Sequence, residues 1–146
     1  MGTRSITVFM SEWSGDDTII AAIFRHWDGY PEGHGKDLAN YLKDGVLVNG
    51  KGGELPDLVF NGMGRMAGYV AYCMWRDEHE PHFEIVTDNQ IPASGQDYTY
   101  ICRAKEHRPD EGPAFWQPKM EKENYTIEVT SYGETKFKGT PTEMLT

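Results

Sequence analysis

Residues 25–35, which read RHWDGYPEGHG, concentrate side chains that can bind anions and planar groups. The run holds two histidines, one arginine, two acids, two aromatic residues, one proline and three glycines. An ordinary turn constrains only one or two backbone positions and accepts most polar residues at the others. We therefore ask whether this run binds a ligand as well as reversing the chain.

The end of the run has the features of an anion site. Its glycine-rich part leads directly into a predicted helix that carries Lys36 in its first turn. Backbone N–H groups at a helix start are unpaired and partly positive, so they suit phosphate or carboxylate. Gly33 and Gly35 would let a ligand approach the backbone, and His34 would add a donor. Trp27 and Tyr30, earlier in the run, offer faces for stacking on a planar group.

The same run also has an interpretation without a ligand. Asp28, Gly29 and Pro31 are typical turn residues. Trp27 would then pack in the core, and Gly33 would relieve backbone strain. Both interpretations remain open from the sequence.

Arg4 is expected to lie beside the run. A hairpin loop centred near Ser14 pairs residues whose numbers sum to about 28–30, which sets Arg4 opposite positions 24–26. Arg4 shares strand parity with Ile6 and Val8, so it faces the buried side, where a charge needs a partner. That partner is either Asp28 or a bound anion. The predicted ligand-binding residues are Arg4, Arg25, His26, Trp27, Asp28, Tyr30, Gly33, His34, Gly35 and Lys36.

Catalytic chemistry is the weaker prediction. Four residues of the run have side chains used in acid–base and metal chemistry: His26, Asp28, Glu32 and His34. Their spacing matches no metal signature, and a second cluster around His79 and His82 is interpreted as a solvated turn. No serine lies in a nucleophile elbow. We predict no catalytic residue, no metal and no cofactor.

The elements around the run predict a single α+β domain over residues 1–146. Strand patterns occur in TRSITVFM, TIIAAIFRHW, HFEIVTD, QDYTYICRA, NYTIEVTS and ETKFKG. Helical spacing occurs at Leu38, Tyr41 and Leu42, and along an apolar stripe from Met63 to Met74. Residues 48–57 and 105–119 are predicted loops. We expect a mostly antiparallel sheet of about six strands with two helices on one face.

Composition limits the classes of partner. The chain has 14 Lys and Arg against 23 Asp and Glu, a net charge of −9 that repels nucleic acid backbones and anionic membranes. Cys73 and Cys102 lie in apolar settings and are interpreted as reduced thiols. No apolar run approaches the ~20 residues that span a bilayer, and the N-terminus lacks the long apolar stretch of a signal peptide. We therefore expect a cytoplasmic protein without polymeric nucleic acid or membrane partners.

Three motifs carry a family resemblance: GTRS at 2–5, HWDGYPEGHG at 26–35 and DYTY at 97–100. They resemble a group of small, mostly uncharacterised proteins encoded by bacteriophages and some bacteria. In that group a Gly-Thr-Arg-Ser strand precedes a strand that ends in Trp-Asp-Gly-Tyr-Pro, and a Tyr-Thr-Tyr strand follows later. The resemblance implies a phage accessory protein and no known reaction. Residues 104–122 lie outside it.

Three classes of function follow. Small acidic phage proteins without catalytic signatures often bind a host component, so the resemblance favours sequestration of a nucleotide-type small molecule, such as a bacterial antiviral immune signal. The second class is an enzyme that modifies or cleaves a nucleotide, with His26 or His34 as acid–base group. The third is a protein-binding inhibitor of a host defence or nucleic-acid enzyme whose acidic surface mimics nucleic acid. A homo-oligomer is compatible with each class, and a phage-encoded protein would act in the host-cell cytoplasm.

Overall fold

Eight strands and three α-helices make up the described part of the chain. The computed structural model describes residues 2–11, 18–50, 55–56, 58–77, 82–93, 95–105 and 120–146. The strands are β1 Ser5–Met10, β2 Ile19–Arg25, β3 Val46–Val48, β4 Val59–Asn61, β5 Phe83–Val86, β6 Tyr98–Ala104, β7 Tyr125–Ser131 and β8 Glu134–Gly139. The helices are α1 Lys36–Leu42, α2 Met63–Asp77 and α3 Pro141–Met144, with a π-helical turn Pro31–Gly35 and a 3₁₀ helix Asp88–Ala93.

Six strands form one sheet in the order β5-β2-β1-β6-β7-β8, and β3 pairs with β4 separately. Within the six-stranded sheet only β1 and β6 run parallel. The predicted α+β class with a mostly antiparallel sheet of six strands is confirmed. The short helix α3 adds to the two predicted helices, and its N-cap Thr140 forms a capping box with Glu143.

The register of the first hairpin agrees with the sequence prediction. Ser5 lies opposite Arg25 and Ile6 opposite Phe24, so paired residue numbers sum to 30. This register brings the start of β1 beside the end of β2, where the run 25–35 begins. The strand β2 is an interior strand of the sheet, since it lies between β1 and β5.

Both faces of β1 are buried. Phe9 and Ile23 point toward the helices and join a core with Leu38, Met66 and other side chains. We call this side the helix-covered face. We call the other side of the sheet the opposite face. It carries a smaller cluster of Ile6, Val8, Met10, Ala22 and Phe24. The alternation in β1 therefore separates two apolar layers and not a core from solvent.

The parallel pair β3–β4 was not predicted from the sequence, and Val48 falls inside a predicted loop. Each of these strands has three residues, too few to show an alternating pattern. The buried Asn124 supports β3 from the side: its Nδ2 donates to Leu47 O at 2.8 Å, and Leu47 N donates to its Oδ1 at 2.7 Å.

Three further predictions concern the cysteines, membrane-spanning helices and the loops. Cys73 and Cys102 are both buried and free, and burial raises the pKa of the Cys102 thiol to about 12. None of the helices in the described part of the chain has the length and apolar character needed to cross a bilayer. Most of the loop expected at 105–119 and of the first hairpin loop, together with His79, lies outside the described residues.

Asn124→Ala should destabilise the protein by about 2–4 kcal/mol, because it leaves the buried N–H and C=O of Leu47 without partners. Urea unfolding at neutral pH measures this change. The control is Asn40→Ala, which removes an exposed side chain that donates to Lys36 O and should cost less than ~0.5 kcal/mol. Equal losses in the two variants would contradict the bridging role of Asn124.

Candidate functional site

Arg25 ends β2 and buries its guanidinium on the helix-covered face. The residue is 8% exposed. Its Nε donates to Trp27 O at 2.8 Å. Its Nη1 lies 3.0 Å from Asp37 Oδ2 and 3.2 Å from His34 Nδ1. The buried charge thus has both a carboxylate and neutral acceptors, as a buried ion requires.

His34 belongs to the π-helical turn, and its side chain is fully buried. An arginine can only donate, so Nδ1 of His34 accepts from Arg25, and Nε2–H donates to Thr7 Oγ1 at 2.6 Å. The ring also packs edge-on against Tyr100, with centroids 4.9 Å apart. Burial, reinforced by the Arg25 charge, lowers the pKa of His34 to about 3. The imidazole is therefore neutral and faces the interior, which contradicts the expectation that it donates to a ligand.

The predicted row of free backbone donors at the helix start is wrong. The run is itself helical over Pro31–Gly35, and the amides from Gly33 to Lys36 donate to carbonyls of the same run. Gly33 N donates to Tyr30 O at 2.9 Å, and His34 N donates to Asp28 O at 2.8 Å. The sequence did not reveal this pairing, because the accepting carbonyls belong in part to Asp28 and Tyr30, which precede the π-helical turn.

The glycines of the run make close intramolecular contacts. A Cβ on Gly33 would lie 2.6 Å from Asp28 O, and one on Gly35 would lie 2.7 Å from the end of Met144. Gly29 donates to Thr3 O at 2.9 Å and accepts from the Tyr100 hydroxyl at 2.7 Å. For these glycines the structure supports the interpretation in which they serve packing and the turn.

A cleft of about 610 Å³ opens on the opposite face of the sheet. Its lining combines one guanidinium, one imidazole, one carboxylate, two side-chain amides and two apolar side chains. These residues are Arg4, Phe24, His26, Glu84, Val86, Asn89 and Gln90. We call it the Arg4–His26 cleft, after the two lining residues that the sequence predicted.

Arg4 is held at the cleft by Asp97 and not by Asp28. Arg4 N donates to Asp97 Oδ2 at 2.9 Å, and Arg4 Nε lies 3.8 Å from the same oxygen. The Arg4 amide and the Tyr132 hydroxyl lower the pKa of Asp97 below its usual range. Of the two partners considered for Arg4, Asp28 is therefore wrong, because β6 pairs with β1 from Ser5↔Tyr98 onward and brings Asp97 beside Arg4.

His26 and Glu84 form a pair at the rim of the cleft. His26 Nε2 lies 3.0 Å from Glu84 Oε1, and the two side chains are 45% and 59% exposed. The ring of His26 packs edge-on against Phe24, with centroids 4.7 Å apart. When Nε2–H donates to the carboxylate, the other ring nitrogen is an acceptor, which is the arrangement of an oriented general base.

The remaining predicted residues lie elsewhere. Trp27 is 45% exposed and packs against Gly2 and the edge of His82. The Tyr30 hydroxyl donates to Asp28 Oδ1 at 3.3 Å, and the charge of that carboxylate raises the pKa of Tyr30. Lys36 lies at a separate groove with Phe137 and Met144. The structure thus separates the predicted residues into a buried network, an exposed loop surface, the Arg4–His26 cleft and the groove beside Lys36.

Several cleft residues were missed by the sequence analysis. Glu84 was predicted only as part of a strand, and Asn89 and Gln90 were not among the predicted ligand-binding residues. Asn89 Oδ1 accepts from the Thr87 hydroxyl at 2.5 Å, and Gln90 Oε1 accepts from Thr87 N at 2.8 Å. Polar residues just after a strand were the available signal. No group of three metal-binding side chains occurs among the described residues.

The chain was compared with protein-family models, curated proteins and solved structures, and none of them matches it. The assignment of a function therefore rests on the geometry of the site and on the resemblance carried by the motifs.

The pH dependence of stability should report the buried His34. Its pKa is about 3 in the folded protein and about 6.5 in the unfolded chain, so the unfolded state binds the extra proton between these values. The contribution of His34 to the free energy of unfolding is therefore highest above pH ~6.5. It falls by up to about 1.4 kcal/mol per pH unit as the pH drops toward 3.

Chemical unfolding of the native protein and of His34→Gln, each measured from pH 7 down to pH 4, tests this contribution. The native protein should lose more stability over the range than the variant does, because glutamine does not titrate. Parallel stability curves would show that His34 is not held neutral.

Proposed function

We propose that the protein binds a nucleotide-type small molecule in the Arg4–His26 cleft and retains it without changing it. The observation that carries the proposal is the combination of groups around one cleft of about 610 Å³. Small-molecule sites in proteins have volumes of about 300–1,000 Å³ and a few convergent polar groups. A nucleotide presents an anionic part and a planar part with hydrogen-bonding edges, and the lining offers partners for both.

Arg4 is the expected partner of the anionic part. Its side chain is 43% exposed, although its Nε is buried and makes no hydrogen bond within the described part of the chain. A guanidinium has five N–H donors and can bind phosphate through two of them at once. Asp97 accepts a hydrogen bond from the Arg4 backbone amide, and its carboxylate lies 3.8 Å from Arg4 Nε. Gly95 permits this position, since a Cβ there would lie 3.3 Å from Arg4 Nη1.

The planar part would contact the apolar and amide residues of the lining. Phe24 and Val86 supply an apolar floor, while Asn89 and Gln90 bring side-chain amides. Their oxygens already accept from Thr87, but an amide oxygen has a second lone pair and an amide NH₂ two donors for the edge of a base. Apolar walls with a small number of placed polar groups are typical of sites that bind small molecules.

Retention without reaction is supported by the described lining residues of the cleft, none of which carries a hydroxyl or thiol nucleophile. Cys73 and Cys102 are buried away from the cleft lining, and His34 is neutral in the interior. The phage resemblance adds a biological class: a signal nucleotide of bacterial antiviral defence would be lowered in concentration by a protein that holds it. Cyclic AMP, cyclic di-AMP and ADP-ribose are the first probes for this class.

One observation favours a second function, an enzyme that cleaves or modifies such a nucleotide. The His26–Glu84 pair at 3.0 Å has the geometry of a base and the carboxylate that orients it. His34, the other histidine considered for this role, is buried. An enzyme of this kind would use His26 to take a proton from an attacking water or hydroxyl.

A nucleotide that binds the cleft should raise the melting temperature, because it stabilises only the folded state. At a hundred times Kd the stabilisation is about 2.7 kcal/mol. Arg4→Met should weaken binding at least ~10-fold in calorimetry, since a charge-assisted hydrogen bond is lost. The control is Lys36→Met, which removes an exposed cation far from the cleft lining and should leave Kd unchanged. Failure of all probes at ~100 μM to shift the melting temperature would contradict the proposal.

Tyr30→Ala separates the cleft from the loop surface that the sequence first indicated. Tyr30 does not line the cleft, so a ligand bound there should keep its Kd in this variant. A loss of tenfold or more, the size expected when a stacked base loses its aromatic partner, together with an unaffected Arg4→Met, would move the ligand to the loop.

The bound ligand should be recovered unchanged after heat release, as judged by mass spectrometry. Conversion that disappears in His26→Gln, with Kd changed less than ~3-fold, would establish the enzyme and overturn simple retention. Conversion that persists in His26→Gln would exclude His26 as the base.

A further inference from the structure

The strand β5 forms one outer edge of the six-stranded sheet, and its outward backbone groups have no hydrogen-bond partner among the described residues. His26 N donates to His82 O at 2.8 Å, which fixes the alternation of the β2–β5 ladder. With the pairing Phe24↔Glu84 and Ile23↔Ile85, the groups of Glu84 face β2 and those of Phe83 and Ile85 face away. Within the described residues, no strand pairs with that outer edge.

The two edges of the sheet differ in how they are protected. The other edge strand, β8, carries Glu134, Lys136 and Lys138, all exposed. Charged side chains, especially lysines, are the usual means by which an edge avoids pairing with another chain. The strand β5 reads FEIV, and Ile85 is 63% exposed. It has no lysine, and its single charge, Glu84, projects toward the Arg4–His26 cleft.

Exposed apolar side chains continue from β5 onto α2. Trp75 is 67% exposed and packs edge-on against Phe83 with centroids 6.2 Å apart. Tyr72, three residues earlier on α2, is 60% exposed and lies on the same side of the helix. Ile20 and Ile85 line one groove at the same edge. Contiguous exposed apolar surface of this kind marks an interaction site.

We propose that β5 pairs antiparallel with β5 of a second copy of this chain, about a two-fold axis at Ile85. A strand paired antiparallel with itself is self-complementary, as a two-fold interface requires. Ile85 N–H and C=O would bond reciprocally across the axis, and Phe83 N–H would donate to Thr87 O of the second copy. Thr87 O already accepts from Gln90 N, but a carbonyl has a second lone pair.

The side chains favour this register over the one centred on Glu84. Centring the axis on Glu84 would place two carboxylates opposite each other, which is destabilising. Centring it on Ile85 places isoleucine against isoleucine and Glu84 opposite Val86 of the second copy. The exposed aromatic residues Tyr72 and Trp75 then lie on the same side of the joined sheet as those of the second copy.

The expected dimer is weak and reversible. Ile85, Trp75 and Tyr72 together expose on the order of 300 Å² of apolar surface per copy, judged from the area of such side chains. That is below the roughly 800 Å² per partner of a standard stable interface, so strand pairing must add to it. We expect dissociation in the micromolar range.

Sedimentation equilibrium from about 1 to 500 μM tests the dimer. The native protein should approach twice the monomer mass, and Ile85→Lys should raise the dissociation constant at least tenfold. The matched control, Thr135→Lys on the exposed edge strand β8, should dimerise like the native protein. A monomeric native protein over the whole range, or an unchanged dissociation constant in Ile85→Lys, overturns the proposal.

A cross-linking variant tests the register independently of any folding defect in Ile85→Lys. Both native cysteines are buried, so Ile85→Cys introduces an exposed thiol on the proposed axis. A two-fold pair of strand residues has a Cα separation of about 5.5 Å, within the range of a disulfide. Mild oxidation should link most of the Ile85→Cys protein into dimers, while Thr135→Cys should remain largely monomeric. Equal cross-linking of the two variants contradicts the β5 interface.

Discussion

The buried guanidinium of Arg25 holds the run 25–35 against the sheet. A charge this deep is tolerated only when acceptors surround it, and here they are Trp27 O, His34 Nδ1 and Asp37 Oδ2. These acceptors come from the loop, the π-helical turn and α1 in succession. One side chain at the end of β2 thereby sets the path of the chain into the helical layer. His34 completes the network through Thr7, which ties the turn to β1.

This arrangement divides the polar residues of the first hairpin between the two faces of the sheet. Alternation in β2 sends Arg25 to the helix-covered face and His26 to the opposite face. The helices cover the first face and make its polar groups structural. On the opposite face, the short 3₁₀ helix Asp88–Ala93 contributes Asn89 and Gln90 to the cleft lining. Arg4 and His26 stay accessible in that cleft. Groups that are neighbours in sequence therefore acquire different physical roles.

The edges of the sheet show a similar contrast. At β8, exposed charges alternate along the strand, and α3 packs nearby through Met144 and Leu145. At β5, the exposed residues are apolar, and the strand also supplies Glu84 and Val86 to the cleft. Pairing of two β5 strands would place two such clefts next to each other on the same side of an extended sheet. Association and ligand binding would then share one strand without sharing side chains, because alternate residues serve each.

The sequence by itself determined the local elements and the first pairing. Alternation and helical spacing are properties of a few adjacent residues, so the hairpin register, α1, α2 and the later strands could be predicted from the pattern. The π-helical turn, the pair β3–β4 and the partner of Arg4 could not. Asp97 meets Arg4 only because β6 lies parallel to β1, a contact that spans 93 residues of chain. Tertiary structure alone decided that His34 is buried while His26 is exposed, because the burial of a polar side chain depends on which element covers its face.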